Sequence, residues 1–298
     1  DQASFLDRRL QFGVGFRAQY FNVDNPQSVP ELKGLKTPSA YTGDGSVSYY
    51  FARSQTKIRA HVGNSFRAPS LSERFSSIVT QNGPLRIGNP QIRPERALSV
   101  DGGIDQTLAG GKVRLSGTYF YTRLQEVIVS TAFLKEVNAR GGLARGAEFE
   151  AVASPCRGLD FRLGYTYTRS DFIPTAATLR SDNTIAPANV SRRQQGIPDH
   201  QVSVGVNYAV SRWNFNFDFT GISDYDEVVF SPNTFTPVLF TFTGYKKADI
   251  GASYTLPLSD RMSLRFYTKV DNVFHQRYFE DGFRTPRAVG LGGVKLQF

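Results

Sequence analysis

Apolar and polar side chains alternate along most of this chain with a period of two residues, which is the spacing of a β-strand with two different faces. The clearest segment has Trp or Phe at every second position from 213 to 219, with Asn, Asp or Thr between them. We count about twelve such segments, many near the 9–11 residues with which a tilted strand crosses a bilayer. They lie around residues 10–20, 47–51, 58–62, 98–104, 113–121, 147–151, 161–167, 202–208, 213–219, 250–254, 262–266 and 287–298.

The connections between these segments alternate strictly between short and long. The short ones are residues 53–56, 109–112, 154–159, 210–213 and 257–260. The long polar ones are 21–44, 67–93, 171–199, 221–246 and 274–286, with a shorter one near 128–135. Outer-membrane barrels have short periplasmic turns and long outside loops, whereas a sandwich or propeller has no reason to put every long loop at one end. The sequence therefore predicts an all-β protein, an antiparallel transmembrane β-barrel whose long loops face the cell exterior.

The chain ends in an alternating segment that stops on an aromatic residue. Ala288, Gly290, Gly292, Val294, Leu296 and Phe298 share one face of it. It resembles the C-terminal assembly signal of bacterial outer-membrane proteins, with Gly293, Leu296 and Phe298 at the glycine and terminal hydrophobic positions. The resemblance implies recognition by the barrel-assembly machinery, and an ordinary edge strand is the alternative.

Composition and charge exclude several other classes of protein. Mean hydropathy is −0.32, and no apolar run approaches the roughly 20 residues of a spanning helix, which excludes a helical membrane fold. The single Cys156 excludes a disulfide framework. The net charge of +9 comes from Lys and Arg scattered among strands and loops, so we predict no nucleic-acid partner. The chain opens at Asp1 in polar sequence, without the charged start, apolar core and cleavage site of a signal peptide, so we expect that a signal peptide was removed or that the chain is part of a longer protein.

The alternation also assigns the two faces of each strand. Rows of Phe, Val, Leu and Ile should meet lipid, with amphipathic rings toward strand ends at Tyr20, Tyr121, Tyr167, Tyr208, Trp213 and Tyr254. The other face should line the lumen with Arg59, Arg114, Glu148, Glu150, Arg162, Asp218, Asp249, Arg265, Lys269 and Asp271. Solvation of a lumen or contact with an internal plug explains this polar wall, and a substrate relay is the alternative.

Four motifs in chain order resemble one family, the TonB-dependent outer-membrane receptors. Residues 64–71 read NSFRAPSL and residues 88–95 read GNPQIRPE, similar to the family's FRAPS and NPxLxPE signatures. Residues 138–148 are similar to its N-x-x-x-A-x-x-x-G-x-E strand. Residues 270–274 read VDNVF and precede Tyr278, Pro286 and Arg287, similar to its N-L-F-D-x-x-Y and P-G-R ending. Arg67 and Glu95 flank the loop between the first two motifs and are expected to help pin it.

The resemblance implies a protein of the bacterial cell outer membrane that contacts outer-membrane lipid. It further implies a receptor that binds a ferric siderophore, haem or cobalamin and imports it with energy supplied by TonB. Such receptors place a plug domain and a TonB-contacting segment before a barrel of about 22 strands. Residues 1–298 therefore look like the C-terminal part of such a barrel, with the plug domain and TonB contact outside this chain. A small independent barrel, a passive pore, and an outer-membrane enzyme or adhesin are the alternatives.

Candidate ligand contacts are aromatic and basic residues of the long loops. Their mixture suits an anionic, partly aromatic chelate through ion pairs and cation–π contacts. They are Arg180, Arg192, Arg193, Tyr225, Phe230, Phe235, Arg277, Tyr278, Phe279 and Arg284, with loop solvation as the alternative. We expect no catalytic residue, no resident cofactor and no metal site, because the three histidines are isolated and Asp224 to Glu227 lacks the spacing of an EF-hand loop.

Overall fold

A computed structural model describes residues 1–21, 39–81, 83–130, 135–175, 178–179, 185–186, 189–230, 237–280 and 283–298. Nearly all of its regular elements are strands. In chain order they are β1 (Gln2–Phe5), β2 (Leu10–Tyr20), β3 (Ser39–Phe51), β4 (Thr56–Arg67), α1 (Leu71–Phe75), β5 (Ser77–Thr80), β6 (Gly83–Arg86), β7 (Glu95–Leu108), a 3-10 turn (Ala109–Gly111), β8 (Val113–Gln125), β9 (Ile128–Ser130), β10 (Glu136–Asn138), β11 (Gly141–Cys156), β12 (Leu159–Ile173), β13 (Thr178–Leu179), β14 (Ile185–Ala186), β15 (Arg192–Arg193), β16 (His200–Val210), β17 (Trp213–Ile222), β18 (Tyr225–Phe230), β19 (Pro237–Phe242), β20 (Lys246–Pro257), β21 (Ser263–Asp271), β22 (Phe279–Glu280), β23 (Phe283–Arg284) and β24 (Val289–Gln297).

One large antiparallel sheet, which we call the wall, contains every segment predicted as a strand. Its strands follow the order β1-β2-β3-β4-β7-β8-β11-β12-β16-β17-β20-β21-β24, and β15 pairs with β12 as the fourteenth strand. Consecutive wall strands are neighbours, so each connection joins adjacent strands as in an up-and-down barrel. Within the described residues, no helix has the length and apolar character needed to cross a membrane.

The sequence prediction missed the first strand. β1 pairs with β2 from Gln2 opposite Gly13 to Phe5 opposite Leu10. Its four residues are too few to show a period, and the turn that follows has no glycine. Leu6, Asp7 and Arg8 nevertheless take positive φ values of 53°, 55° and 66°, a conformation that sequence rules assign mainly to Gly and Asn.

The predicted alternation of connection lengths is confirmed, but the long connections are not featureless loops. Short turns join β3 to β4, β7 to β8, β11 to β12, β16 to β17 and β20 to β21, all at one end of the wall. At the other end, four of the long connections and the shorter one near 128–135 carry two-stranded sheets of their own, formed by β5–β6, β9–β10, β13–β14, β18–β19 and β22–β23. The predicted loop 21–44 was also too long, because β3 already begins at Ser39.

Pairing register places the predicted apolar and polar rows on opposite surfaces of the wall. Phe217 lies opposite Val206 on β16 and Ile250 on β20, so apolar rows continue from strand to strand. The neighbouring polar row places Asn216 opposite Asn207 and Gly251. A shift of one residue in the pairing would move every side chain to the opposite face. A sheet with one face in lipid therefore tolerates only one register. We call the two surfaces the apolar face and the lumen face.

The ends of the apolar face carry the rings that were predicted there. Trp213 stacks on Phe215 with centroids 5.8 Å apart and contacts Tyr254 at 4.8 Å, at the short-turn end. Tyr20 and Tyr41 join their hydroxyl groups at 3.0 Å, at the long-loop end. Aromatic rings at both ends of the strands match the two interfacial belts of a membrane barrel.

The last strand supports the features singled out at the chain end. β24 pairs with β21 along its whole length, from Val289 to Gln297. A Cβ on Gly293 would collide with the hydroxyl end of the Tyr267 ring, so a larger residue here would force that ring to move. Leu296 and Phe298 extend from the apolar face, with 49% and 94% of their surface exposed. Recognition of these residues by the assembly machinery stays a prediction.

Candidate ligand-binding site

The long-loop end of the wall is braced by residues of the first two motifs. Arg67 on β4 donates from Nε to Glu95 on β7 and from Nη1 to both carboxylate oxygens of Glu73 at 3.0 and 3.1 Å. The other oxygen of Glu95 accepts the backbone N–H of Ile128 at 2.8 Å. The predicted pinning by Arg67 and Glu95 is therefore confirmed, and it extends to the next loop along the wall.

Two motif asparagines complete this brace. Asn138 donates from Nδ2 to the carbonyls of Arg93 and Glu126 at 2.8 Å each, and its Oδ1 accepts the N–H of Arg93 at 2.8 Å. Asn89 donates from Nδ2 to the carbonyl of Glu136 at 3.1 Å. Because side chains satisfy backbone groups that have left the ladder, the motif residues fix loop positions and are not placed to receive a ligand.

Helix α1 sits against the same brace. Ser70 caps it: its Oγ accepts the N–H of Glu73, and the Glu73 carboxylate accepts the N–H of Ser70, as in a capping box. A Cβ on Gly88 would lie 2.6 Å from the backbone nitrogen of Phe75, so only glycine permits this approach of the second motif to the helix. Arg74 reaches the carbonyl of Pro90 and lies over the ring of Phe75, and burial lowers its pKa.

An aromatic cluster joins two neighbouring loop hairpins at this end. Phe242 of β19 stacks with Tyr225 at a centroid distance of 5.5 Å and contacts Phe279 of β22 at 6.2 Å. Tyr278 stacks with Tyr245 at 4.1 Å. Tyr225 and Tyr278 are buried while Phe279 is 44% exposed. Of these three predicted contacts, only Phe279 presents an accessible ring, and Phe242 connects that ring to Tyr225.

Beside this cluster lies a group of arginines, which we call the cationic group, formed by Arg277, Arg284 and Arg287. Arg284 lies directly opposite Phe279 across the β22–β23 pair. Desolvation lowers the pKa of Arg277, and so do the charges of Arg284 and Arg287. His275 Nε2 lies 3.2 Å from Arg287 Nη1. Arg277 and Arg284 are both exposed. Arg287, noted in the sequence only as part of a motif, joins two predicted contacts in one positive surface.

The cationic group is held in place by a buried asparagine. Asn272 is 2% exposed and donates from Nδ2 to the carbonyls of Gln276 at 2.8 Å and Pro286 at 3.3 Å. Its Oδ1 accepts the N–H of Gln276 at 3.2 Å, and its own N–H donates to Asp249 at 2.8 Å. It ties both ends of the connection that carries Arg277 and Arg284 to the end of β21. In the sequence, Asn272 was noted only as part of the VDNVF motif at residues 270–274, and the motif did not predict that its side chain ties down this connection.

The other predicted ligand contacts either take part in contacts between loops or lie outside the described part of the chain. Arg193 forms ion pairs with Asp199 at 3.2 Å and Asp224 at 3.3 Å, and it also donates to backbone carbonyls, so it acts as a clamp between loops. Arg192 pairs through its backbone with Phe172. Arg180 and Phe235 lie outside the described residues, and of Phe230 only the backbone, at the end of β18, is described. The structure thus brings together Arg284 and Phe279, with Arg277 on the same connection, and it buries Tyr225 and Tyr278 in the aromatic cluster.

The lumen face offers polar networks but, among the described residues, no second grouping of this kind. Arg59 pairs with Asp105 at 3.3 Å and donates to Ser116 and Thr118, and His61 lies 3.0 Å from Asp101. Within the described ranges, no group of three or more His, Cys, Asp and Glu side chains is arranged to hold a metal ion. The exposed rings and guanidinium groups of the long-loop end can bind an anion that carries a flat, polarisable surface.

Comparison with protein families gives one match over most of the chain. A family model described as TonB dependent receptor-like, beta-barrel matches residues 1–273. The curated relative "Heme/hemopexin utilization protein C" of Haemophilus influenzae is 24% identical over 237 residues, which cover 74% of this chain and 32% of that protein.

Solved structures of the same architecture superpose on the whole wall. The copper transporter OprC has a TM-score of 0.70 at 17% identity, covering 99% of this chain and 45% of that one. The ferripyoverdine receptor of the outer membrane of Pseudomonas aeruginosa has a TM-score of 0.69 at 15% identity, covering 99% and 37%. The chain therefore spans about a third of the curated relative and less than half of these two structures.

Proposed function

We propose that this chain, which belongs to the TonB-dependent receptor-like β-barrel family of the bacterial outer membrane, serves the import of a scarce, large, anionic solute. A ferric siderophore or haem fits best, and cobalamin is the further substrate class that the family resemblance suggested. We infer that TonB supplies the energy for import. Two names among the relatives support the choice: one is a haem/hemopexin utilization protein and the other a ferripyoverdine receptor.

One observation carries this proposal. Arg284 lies opposite the exposed ring of Phe279 across β22–β23, and exposed Arg277 and Arg287 lie on the same last long connection of the wall, where the charges of Arg284 and Arg287 act on Arg277. Like charges repel, so such a group is stabilised when an anion binds across it. Arginine also presents paired donors to carboxylate or phenolate oxygens and stacks on flat ligands. The ring contacts of Phe279 with Phe242 and of Tyr278 with Tyr245 hold this connection against the preceding one.

We further infer that residues 1–298 form the C-terminal part of a larger barrel of about 22 strands, with a plug domain and TonB contact in other parts of the protein. In the described part of the chain, β1 pairs only with β2 and β24 only with β21. Unpaired backbone groups cannot face lipid, so these two edges need partner strands inside the membrane. The large share of the solved receptors that this chain does not span supports the same inference. Assembly through the C-terminal signal and contact with outer-membrane lipid follow from the same proposal.

A passive pore is the second candidate function. The polar lumen face, with networks such as Arg59 to Asp105, would suit either a pore wall or the surroundings of a plug. Ion conductance of the intact protein in a planar bilayer separates the two. A steady open conductance with the full-length protein favours the pore, and a closed protein favours the receptor.

Replacing Arg277 and Arg284 together with Ala is expected to weaken binding of the cognate iron chelate at least about tenfold, because each charged hydrogen bond contributes about 1.5–3 kcal/mol. The measurement is equilibrium binding of ferric siderophores and of haem to the intact receptor, alongside the amount of folded barrel. Arg212→Ala with Arg261→Ala is the matched control, since both arginines are exposed at the short-turn end. Equal affinity of the two double variants for every chelate would remove the cationic group from the binding site.

The orientation of the wall has its own test. Ser191 lies in an exposed segment of the long-loop end, whereas the native Cys156 is exposed beside the turn after β11, at the short-turn end. In intact cells, a membrane-impermeant maleimide is expected to label Ser191→Cys but not Cys156. After cell lysis, both should react. Labelling of Cys156 in intact cells at the rate of Ser191→Cys would contradict the orientation.

A further inference from the structure

Two arginines face each other on the apolar face, where the sequence pattern leads one to expect apolar rows. Arg145 on β11 lies directly opposite Arg169 on β12 and opposite Tyr121 on β8. Arg145 shares its face with Phe149 four residues further along β11, and Tyr121 is 41% exposed on that face. Both arginines are exposed. Like charges directly opposite each other in a sheet are destabilising, so this pair calls for a nearby anion.

Two more arginines extend the pair along the same edge. Arg123 on β8 lies opposite Leu98 and Leu143, one step nearer the loops. Arg96 on β7 lies opposite Phe66, a further step up. The four arginines thus lie at the long-loop end of neighbouring wall strands, from β7 to β12. We call Arg96, Arg123, Arg145 and Arg169 the arginine patch.

The patch is not neutralised from within. Among the described residues, the side chains of Arg96, Arg123 and Arg145 make no hydrogen bond or ion pair. Arg169 pairs with Asp171, from Nε to Oδ2 at 3.1 Å, and Asp171 shares its face of β12. Asp171 is the carboxylate hydrogen-bonded to the patch, and the charge of Asp199, which pairs with Arg193, also acts on Arg169. The other three guanidinium groups have no carboxylate partner among the described residues, so the patch keeps a net positive charge.

A row of rings directly below the patch fixes its depth in the membrane. Tyr119, Tyr165 and Tyr167 are exposed on the same face, and Tyr165 joins its hydroxyl to His200 Nδ1 at 2.9 Å. Tyrosine rings at strand ends sit at the level of lipid headgroups. Two residues along a strand advance by about 6.6 Å, which places the guanidinium groups at and just beyond this level.

The surface around the patch is also concave. A groove of about 740 Å³ adjoins the patch, and Arg123 is the patch residue that lines it, with Tyr121, Leu143 and Arg140. The carboxylates of Asp171 and Glu126 also line it, so the groove itself contains two guanidinium and two carboxylate groups.

We propose that the arginine patch binds the phosphate groups of an anionic lipid headgroup in the outer leaflet of the membrane. Guanidinium groups bind phosphate through paired charge-assisted hydrogen bonds, and they do so most strongly where water is partly excluded. The site lies on the outside of the wall, away from Arg277 and Arg284. It depends on the outer-membrane location and on the orientation proposed above, and is independent of which solute is imported.

The test uses the intact receptor in phosphatidylcholine nanodiscs doped with bisphosphorylated lipid A, with lipid retention read by native mass spectrometry. Each of Arg123→Gln, Arg145→Gln and Arg169→Gln is expected to weaken retention about fivefold, which corresponds to about 1 kcal/mol for one basic residue near an anionic surface. The triple variant should lose retention further. Arg17→Gln, Arg114→Gln and Arg162→Gln remove the same charge from the lumen face and form the matched control.

The phosphate groups of the lipid distinguish a headgroup site from general contact with acyl chains. Lipid A without phosphate groups should be retained by the wild-type receptor no better than by the triple variant, and free inorganic phosphate should not displace the lipid. Equal retention by the triple variant and the lumen-face control would overturn the proposal, as would equal retention of lipid A with and without phosphates. If the triple variant does not fold, the single Arg145→Gln variant decides. Chelate binding measured on the same samples should not change, so failure of the lipid site and failure of the proposed transport function are distinguishable.

Discussion

Phe217→Arg is expected to lower the free energy of unfolding in lipid by about 2–4 kcal/mol, the cost of an arginine on the lipid face near the bilayer midplane. Phe217 lies in the middle of β17, between Val206 and Ile250 on the neighbouring strands. No water or counter-charge is available at that depth. Equilibrium unfolding of the intact receptor in vesicles of defined thickness, followed by tryptophan fluorescence or gel mobility, measures the effect.

The adjacent residue supplies the control. Asn216 faces the lumen and donates to Asn207 Oδ1 at 2.9 Å in a wholly polar row. Asn216→Arg should therefore cost only that one hydrogen bond, about 1 kcal/mol, since the new charge stays in water. The two variants introduce the same side chain at adjacent positions. Equal destabilisation by both would show that the faces of β17 are wrongly assigned.

The period-two pattern predicted the wall because register leaves little choice in a two-faced sheet. Once Phe217 must face lipid, Asn216 must face the lumen, and the same rule applies to the paired residues of every neighbour. The pattern failed where this constraint is absent. β1 is short, and the hairpins of the long connections, such as β18–β19, are built from local pairing and ring contacts that have no lipid-facing row.

The candidate site was predictable in composition but not in arrangement. Exposed Arg277, Arg284 and Phe279 were identified from loop chemistry, yet the same rule selected Arg193, which pairs with two aspartates, and Tyr225, which is buried. Composition cannot tell a guanidinium that meets a ligand from one that meets a carboxylate of another loop. The arginine patch escaped for the opposite reason: its members lie within strands, and only the cross-strand register brings Arg145 opposite Arg169.

Asn272→Ala is expected to release the last long connection from the wall and to weaken chelate binding without unfolding the barrel. The side chain is buried and forms three hydrogen bonds to the backbone of that connection, through Gln276 and Pro286. Leaving these partly buried groups unpaired costs about 1–3 kcal/mol. Asn272 also has a φ of 54°, in the left-handed region that costs alanine roughly 1–2 kcal/mol more than glycine.

Three variants divide this effect into its parts. Asn272→Gly loses the side-chain hydrogen bonds but accepts the backbone conformation, so it should be less severe than Asn272→Ala. Asn214→Ala, which removes one hydrogen bond to Asn207 on the lumen face, should leave the connection unchanged.

Hydrogen exchange of the Gln276 and Thr285 amides is the direct measurement, since the first donates to Asn272 and the second to the carbonyl of Tyr278. Faster exchange at both amides with unchanged exchange in β17 is the expected pattern. Because the same connection carries Arg277 and Arg284, the variant with the faster amide exchange should also bind the chelate more weakly. Unchanged exchange in both Asn272 variants would show that the connection is held by other contacts.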